Sequence, residues 1–200
     1  MTGTIRRNRF GSAPALLRGK WRLLLLACAC LIAVQALSAA DAPTENQVQA
    51  VFLFNFSRFV EWPPQAFAAP NDPFVIGIVG SDPFGGRLDE AVHNEQINGH
   101  ALTVRRFRSI SEVNNCQILF IDRSEIARLG EILAALDHHS TLTVSQADGA
   151  AQRGVMIQFA TENSRIRLRI NVDSARAAGL TISSKLLRPA EIIGTGAKEQ

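Results

Sequence analysis

Phe74-Val75-Ile76-Gly77-Ile78-Val79-Gly80 runs without a charged side chain, and Ser81-Asp82-Pro83 follows at once. A continuous apolar run bounded by turn residues predicts a strand covered on both faces, the mark of a central position in a sheet. Asp82 and Pro83 then offer an N-cap and a first helical residue, which predicts a helix through about His93. A strand that hands over directly to a helix is the unit of an α/β fold.

The same grammar continues downstream. Leu102 to Phe107 reads as a strand and Gln117 to Asp122 as a second apolar run. Ser124-Glu125 opens a predicted helix with Ile126, Leu129, Ile132, Leu133 and Leu136 on one stripe, and Thr141 to Ser145 is a short strand. Val155 to Ala160 and Arg165 to Ile170 alternate in polarity around Glu162-Asn163-Ser164, which predicts a β-hairpin. Val172 to Ala178 reads as a helix stopped by Gly179, and Ser183 to Leu187 as a further turn. Upstream, Glu45 to Glu61 sets Val48, Val51, Phe52, Phe54, Asn55, Phe56, Phe59 and Val60 at helical spacings, with Thr44 as cap and Pro63-Pro64 as stop. The expected fold is a single-domain α/β sandwich. Its sheet is mixed and mostly parallel, flanked by helices, with a C-terminal β-hairpin.

The chain of 200 residues is 46% hydrophobic and 20% charged, which excludes disorder, collagen and coiled coil. Its net charge of +3 is unevenly placed. Residues 1–40 hold six of the 21 basic side chains (Arg6, Arg7, Arg9, Arg18, Lys20, Arg22) and no acidic one, so 15 basic groups face 18 acidic ones in residues 41–200, a net −3. The basic segment followed by the apolar run Leu23 to Val34 and by Ser38-Ala39-Ala40 reads as a secretory signal cut before Asp41. A retained membrane anchor is the rival, although a bilayer core asks for about 20 apolar residues. The organisation expected is a signal peptide (1–40), one α/β domain (41–194) and a polar tail (195–200). Export is therefore expected, and the negative mature domain argues against nucleic acid as a partner.

Of the three cysteines only Cys116 lies beyond residue 40, so no intramolecular disulfide is expected in the mature chain. Cys116 precedes an apolar run and reads as a small buried hydrophobe. The turn Gly80 to Gly86 follows a strand but matches neither the dinucleotide nor the Walker pattern, and Asp82 fits a capping role better than an anion site. His138-His139 lacks the further ligands of a metal site, and no G-x-S-x-G elbow occurs. The expectation is therefore no enzyme, no cofactor and no metal. Arg165, Arg167 and Arg169 fall on one face of their strand, either a solvated outer face or a surface for acidic groups. Phe52, Phe56, Phe59 and Trp62 offer more aromatic surface than one helix usually buries.

Four stretches together resemble the YfiR family of exported bacterial proteins: Val51-Phe52-Leu53-Phe54-Asn55-Phe56-Ser57-Arg58-Phe59-Val60-Glu61-Trp62-Pro63, Ile78 to Phe84, Arg153 to Ile157, and Asn171 to Leu187. The resemblance implies a periplasmic α/β domain, often a homodimer, that binds the periplasmic part of an inner-membrane diguanylate cyclase and represses it. Other members serve other sensors, so a sensor kinase is an alternative partner. It further implies an arginine-lined site for a small anionic ligand, for which Arg58 and Arg176 stand at motif positions; the residues themselves add the expectation of an apolar partner surface at Phe56, Phe59 and Trp62, with Ile182 to Leu187 packing to position them. Some members carry a cysteine that pairs with the one matching Cys116; here Gly77 stands in that place. The competing expectation is a periplasmic module that binds a small anion without a fixed protein partner.

Overall fold

The computed structural model describes residues 43–163 and 165–194; the expected signal segment and polar tail lie outside the described residues. Helix α1 spans Glu45–Phe59. The Thr44 hydroxyl accepts the Gln47 N–H and the Gln47 side chain accepts the Thr44 N–H at 2.7 Å, a capping box that fixes its start. The helix ends short of Glu61 because Val60–Glu61 becomes strand β1 and pairs with residues near the C-terminal end of the fold.

Strand β2, Phe74–Val79, buries all its side chains, as the uncharged run predicts. The handover after it differs from expectation. Asp82 Oδ1 accepts the N–H groups of Phe84 (2.8 Å) and Gly85 (3.2 Å), so it closes a turn and does not cap the helix. Helix α2 starts only at Gly86 and runs to Val92, because Gly85 at φ 55° breaks the helical path. Strands β3 (Gln96–Ile97) and β4 (His100–Phe107) form a hairpin through Asn98-Gly99, both at positive φ, as the tightest hairpin turn requires.

Strand β5 is Ile118–Ile121. A 3₁₀ segment, Arg123–Arg128, leads into helix α3, Leu129–Ala135, and its cap is Asp122, which accepts the Ser124 N–H; Ser124 itself is not the cap. Strand β6 is Leu142–Ser145, and strands β7 (Ile157–Glu162) and β8 (Arg165–Asn171) form the expected hairpin, with Glu162 opposite Arg165. Helix α4 (Val172–Ala177) stops at Gly179, whose φ of 73° only glycine adopts freely. Strand β9 (Thr181–Ile182) pairs antiparallel with β1, helix α5 is Ser184–Leu187, and β10 (Glu191–Ile193) returns parallel to β8. The hairpin is thus followed by two more strands, of which β10 joins the main sheet.

The main sheet has the order β10-β8-β7-β6-β5-β2-β4-β3, parallel from β7 through β4. Alternation along the strands builds two cores. Ile76, Ile78, Ile118, Phe120, Val144, Ile157 and Phe159 face α1, α2, α4 and α5, with Leu53 and Phe56 of α1 fully enclosed. Val75, Val79, Leu119 and Ile121 face α3 through Leu129 and Ile132. Each such side chain contributes about 1.5–3 kcal/mol on burial. At Gly77, on the face toward α3, neighbours crowd so closely that a β-carbon would lie 2.6 Å from the Phe107 ring and 2.7 Å from the Cys116 sulfur. Cys116 is buried, and burial pushes its thiol up to about 12.

Candidate functional site

The end of α1, strand β1, the loop to β2 and the β3–β4 hairpin enclose a cavity of about 1080 Å³. Pro63-Pro64 forces the chain out of regular structure after Trp62, and Pro64–Ala66 makes one 3₁₀ turn, so the loop arches over the start of β2. Trp62 forms one wall. Its indole N–H donates to the Gln117 carbonyl at 3.1 Å, and its ring meets Phe74 edge-on with centroids 4.9 Å apart. Gln117 is buried and spans the seam: Oε1 accepts the Val75 N–H at 2.8 Å and Nε2 donates to the Ala66 carbonyl at 2.7 Å. One amide thereby fastens the loop to β2 and β5.

Opposite, Phe67 and His100 stack with centroids 3.9 Å apart and planes 9° from parallel. His100 Nδ1 lies 2.7 Å from the Asp72 carbonyl, an acceptor only, so Nδ1 carries the proton and donates it there. Ile97 and Asn98 close the side formed by the hairpin. At the mouth, the Arg58 guanidinium lies 3.0 Å from Glu95 and 4.6 Å above the Phe54 ring. Its side chain remains 49% exposed, so a ligand can reach donors that Glu95 leaves free. The chemistry offered is mixed: aromatic and aliphatic walls (Trp62, Phe67, Phe74, Ile97) alternate with polar groups (Ser57, Glu61, Gln96, Asn98, His100), and one exposed guanidinium stands beside them.

The residues expected from sequence divide here. Arg58 and Trp62 line the cavity; Phe59 is half-buried beside it, packed on the core. Phe56 departs from the expected exposed patch: it is fully buried and stacks on Phe159 at 5.8 Å, because its place on α1 faces the sheet. Arg176 sits on α4, largely exposed, 3.9 Å from Asp173, and is not among the residues lining the cavity, so the two arginines do not converge there. Ile182 reaches the site indirectly, through its pairing with Val60. Gln117, Phe67, His100 and Glu95 were not singled out in the sequence. They lie far apart along the chain; the Asn98-Gly99 dipeptide, a tight-hairpin signal that was not read, could have located the hairpin that carries His100.

Away from the cavity, Arg169 binds Glu191 (2.7 Å) and Glu162 (3.0 Å), so part of the alternating arginine face is neutralised by its neighbours. Among the described residues no His, Cys, Asp and Glu side chains gather in a metal-binding group, and no helix is long and apolar enough to cross a membrane.

Residues 46–191 match the YfiR/HmsC-like family, and the chain belongs to that family. No curated protein matches the sequence. Among solved structures, the fold is similar to that reported as the ABC domain in complex with L-Trp from Streptococcus pneumonia, with a TM-score of 0.49 and 14% identity. That similarity spans 74% of this chain and 60% of the other, less than two thirds of its length.

Proposed function

We propose that this protein is a non-catalytic periplasmic regulator, exported by a cleaved signal peptide, that binds the periplasmic part of an inner-membrane diguanylate cyclase and represses or tunes cyclic di-GMP synthesis. Membership of the YfiR/HmsC-like family over residues 46–191 carries this reading. The geometry supports it at one place. The first motif, Val51 to Pro63, supplies both the half-buried Phe59 and Trp62 and the Arg58 entrance of the cavity, so a ligand there would sit against the same aromatic surface a partner would use. A ligand that binds one docking state better than the other shifts the equilibrium tenfold for each 1.4 kcal/mol of difference, which is about what a regulator needs.

The experiment is an in-cell crosslink and pull-down of the protein from the periplasm, with mass spectrometry of what accompanies it. Recovery of a membrane diguanylate cyclase, followed by a rise in its output when this protein is deleted, meets the expectation. Recovery of a sensor kinase keeps the regulatory reading and changes its target. Recovery of the protein alone, from cells where it is abundant, favours the second reading, a small-anion binding module, which the cavity with Arg58 at its mouth supports in its own right.

A further inference from the structure

Strand β4 pairs with β2 along its inner side from Leu102 to Phe107, but its outer side is covered only at the start. Strand β3 faces His100 and Ala101, and the Leu102 N–H donates to the Glu95 carbonyl at 3.0 Å. Beyond residues 103–107 no strand follows among the described residues. Successive residues of a strand turn their main-chain groups to opposite sides. Leu102 turns its N–H outward, so Val104 and Arg106 turn theirs outward as well, while Thr103 and Arg105 turn theirs to β2. No described residue bonds Val104 or Arg106 on that outer side. A bare edge of this kind is a template for an added strand.

The side chains along the edge decide what fits. Phe107 packs in the core toward α3, and Thr103 and Arg105 share its face; Val104 and Arg106 share the other. Arg106 is committed to Asp82 at 2.8 Å and to Asp89 at 2.6 Å. Arg105 is exposed and has no carboxylate partner among the described residues: its guanidinium lies 5.3 Å from the Phe107 ring centroid and donates to Asn114 at 3.4 Å. A second copy fits badly. Antiparallel self-pairing over the whole bare edge sets residue 104 opposite 106 and Arg105 opposite the same arginine of the other copy. That pair is of the close kind, with Cα atoms about 4.5 Å apart, where like charges destabilise. Other parts of this chain fit no better. Residues 1–40 carry six basic side chains and no acidic one, and residues 195–200 follow β10, at the opposite edge of the sheet.

We propose that the bare edge of β4, residues 103–107, takes an extended acidic segment of another protein as an added strand, with a carboxylate opposite Arg105. Main-chain bonds to Val104 and Arg106 supply affinity whatever the sequence, and alternate side chains supply the choice. On the Arg105 face the segment carries one acid, with uncharged residues two positions to either side, opposite Thr103 and Phe107. On the other face it needs no acid, because Arg106 already holds two carboxylates. The arginine that turns away a second copy is the one that selects the partner. This surface does not depend on the regulatory reading.

The test is amide hydrogen exchange by NMR on the purified protein, alone and with seven-residue peptides. Each has valine two positions to either side of a central glutamate or lysine and threonine elsewhere; a third has the glutamate flanked directly by prolines, which remove the ladder donors. In the protein alone, the Val104 and Arg106 amides are expected to exchange fast and those of Thr103 and Arg105 slowly. Millimolar glutamate peptide should protect Val104 and Arg106 severalfold, the lysine peptide should bind about fivefold more weakly, and the proline peptide should not protect them. Arg105→Glu should reverse the order of the glutamate and lysine peptides, a result that loss of folding cannot produce. Protection of Val104 and Arg106 in the protein alone, whether constant or rising with protein concentration, would overturn the proposal by showing the edge already covered by this chain or by a second copy. So would no protection by the glutamate peptide, equal binding of the glutamate and lysine peptides, or a preference that survives Arg105→Glu.

Discussion

The indole of Trp62 donates to the main-chain carbonyl of Gln117 while the side chain of Gln117 holds both Val75 and Ala66. The wall of the cavity and the seam between β2 and β5 therefore meet at one buried residue, through its main-chain carbonyl on one side and its side-chain amide on the other. Replacing Gln117 by Leu leaves two main-chain groups without partners, each costing about 1–3 kcal/mol, so a loss of about 2–4 kcal/mol is expected in urea unfolding. Trp62→Phe keeps the ring against Phe74, loses one hydrogen bond and costs about 1 kcal/mol. Equal costs for the two substitutions would contradict the sharing.

Gly77 tolerates no side chain. Gly77→Ala places a methyl 2.6 Å from the Phe107 ring and 3.1 Å from Leu119, in a layer with no room to yield, and is expected to destabilise by about 1–3 kcal/mol. Because the same methyl falls 2.7 Å from the Cys116 sulfur, Cys116→Ala in that background recovers part of the loss, and a double-mutant cycle detects it as non-additivity.

With its thiol pushed up to about 12 by burial, Cys116 is protonated and enclosed in the folded protein. Labelling by a disulfide reagent should follow the unfolding rate and accelerate with urea. Stoichiometric labelling within seconds in native buffer would show that the layer opens locally.

Acid should weaken the fold through two carboxyls. The Arg106 guanidinium beside Asp89 holds that carboxyl below its ordinary 3.8. For Asp122, burial pushes upward, but donation by Ser124, by the main chain of Arg123 and by Gln146 outweighs it and the net shift is downward. A carboxylate with a lowered folded pKa gives stability that is complete above the ordinary value and is lost as pH falls through the folded value. The melting temperature is expected to stay flat from about pH 5 to 8 on this account and to fall below about pH 4, with Asp122→Asn showing a shallower acid limb.

Arg58→Ala removes an exposed ion pair with Glu95 and should cost no more than about 1 kcal/mol, as should Arg176→Ala. If Arg58 serves the cavity, its variant loses ligand-dependent stabilisation while Arg176→Ala keeps it. A large drop in melting temperature for Arg58→Ala would make it structural.

Runs such as Ile118–Ile121 were legible because a strand buried on both faces cannot carry a charge, and the cap at Thr44 and stop at Gly179 are local chemistry. Strands β1, β9 and β10 were not, since two or three residues hold no periodicity and gain their state only from a distant partner. Asp82 misled for a different reason: the same side chain caps a turn as readily as a helix, and Gly85 decided between them. At the site, Arg58 and Trp62 stood inside a long motif. Phe56 was misplaced because helical spacing gives an apolar arc without saying which part meets the sheet. Gln117 and His100 sit on segments that only tertiary packing brings to the cavity.

The clip between β1 and β9 joins Val60 to Ile182, about 120 residues apart in sequence, and Ser183 donates its N–H to the Phe59 carbonyl beside it. Such a pair forms late, after the entropy of closing a very long loop has been met by the sheet between. A chain cut before Thr181 is therefore expected to lack the fastening that holds the chamber's outer wall, with the loss read as exposure of Trp62 to a fluorescence quencher.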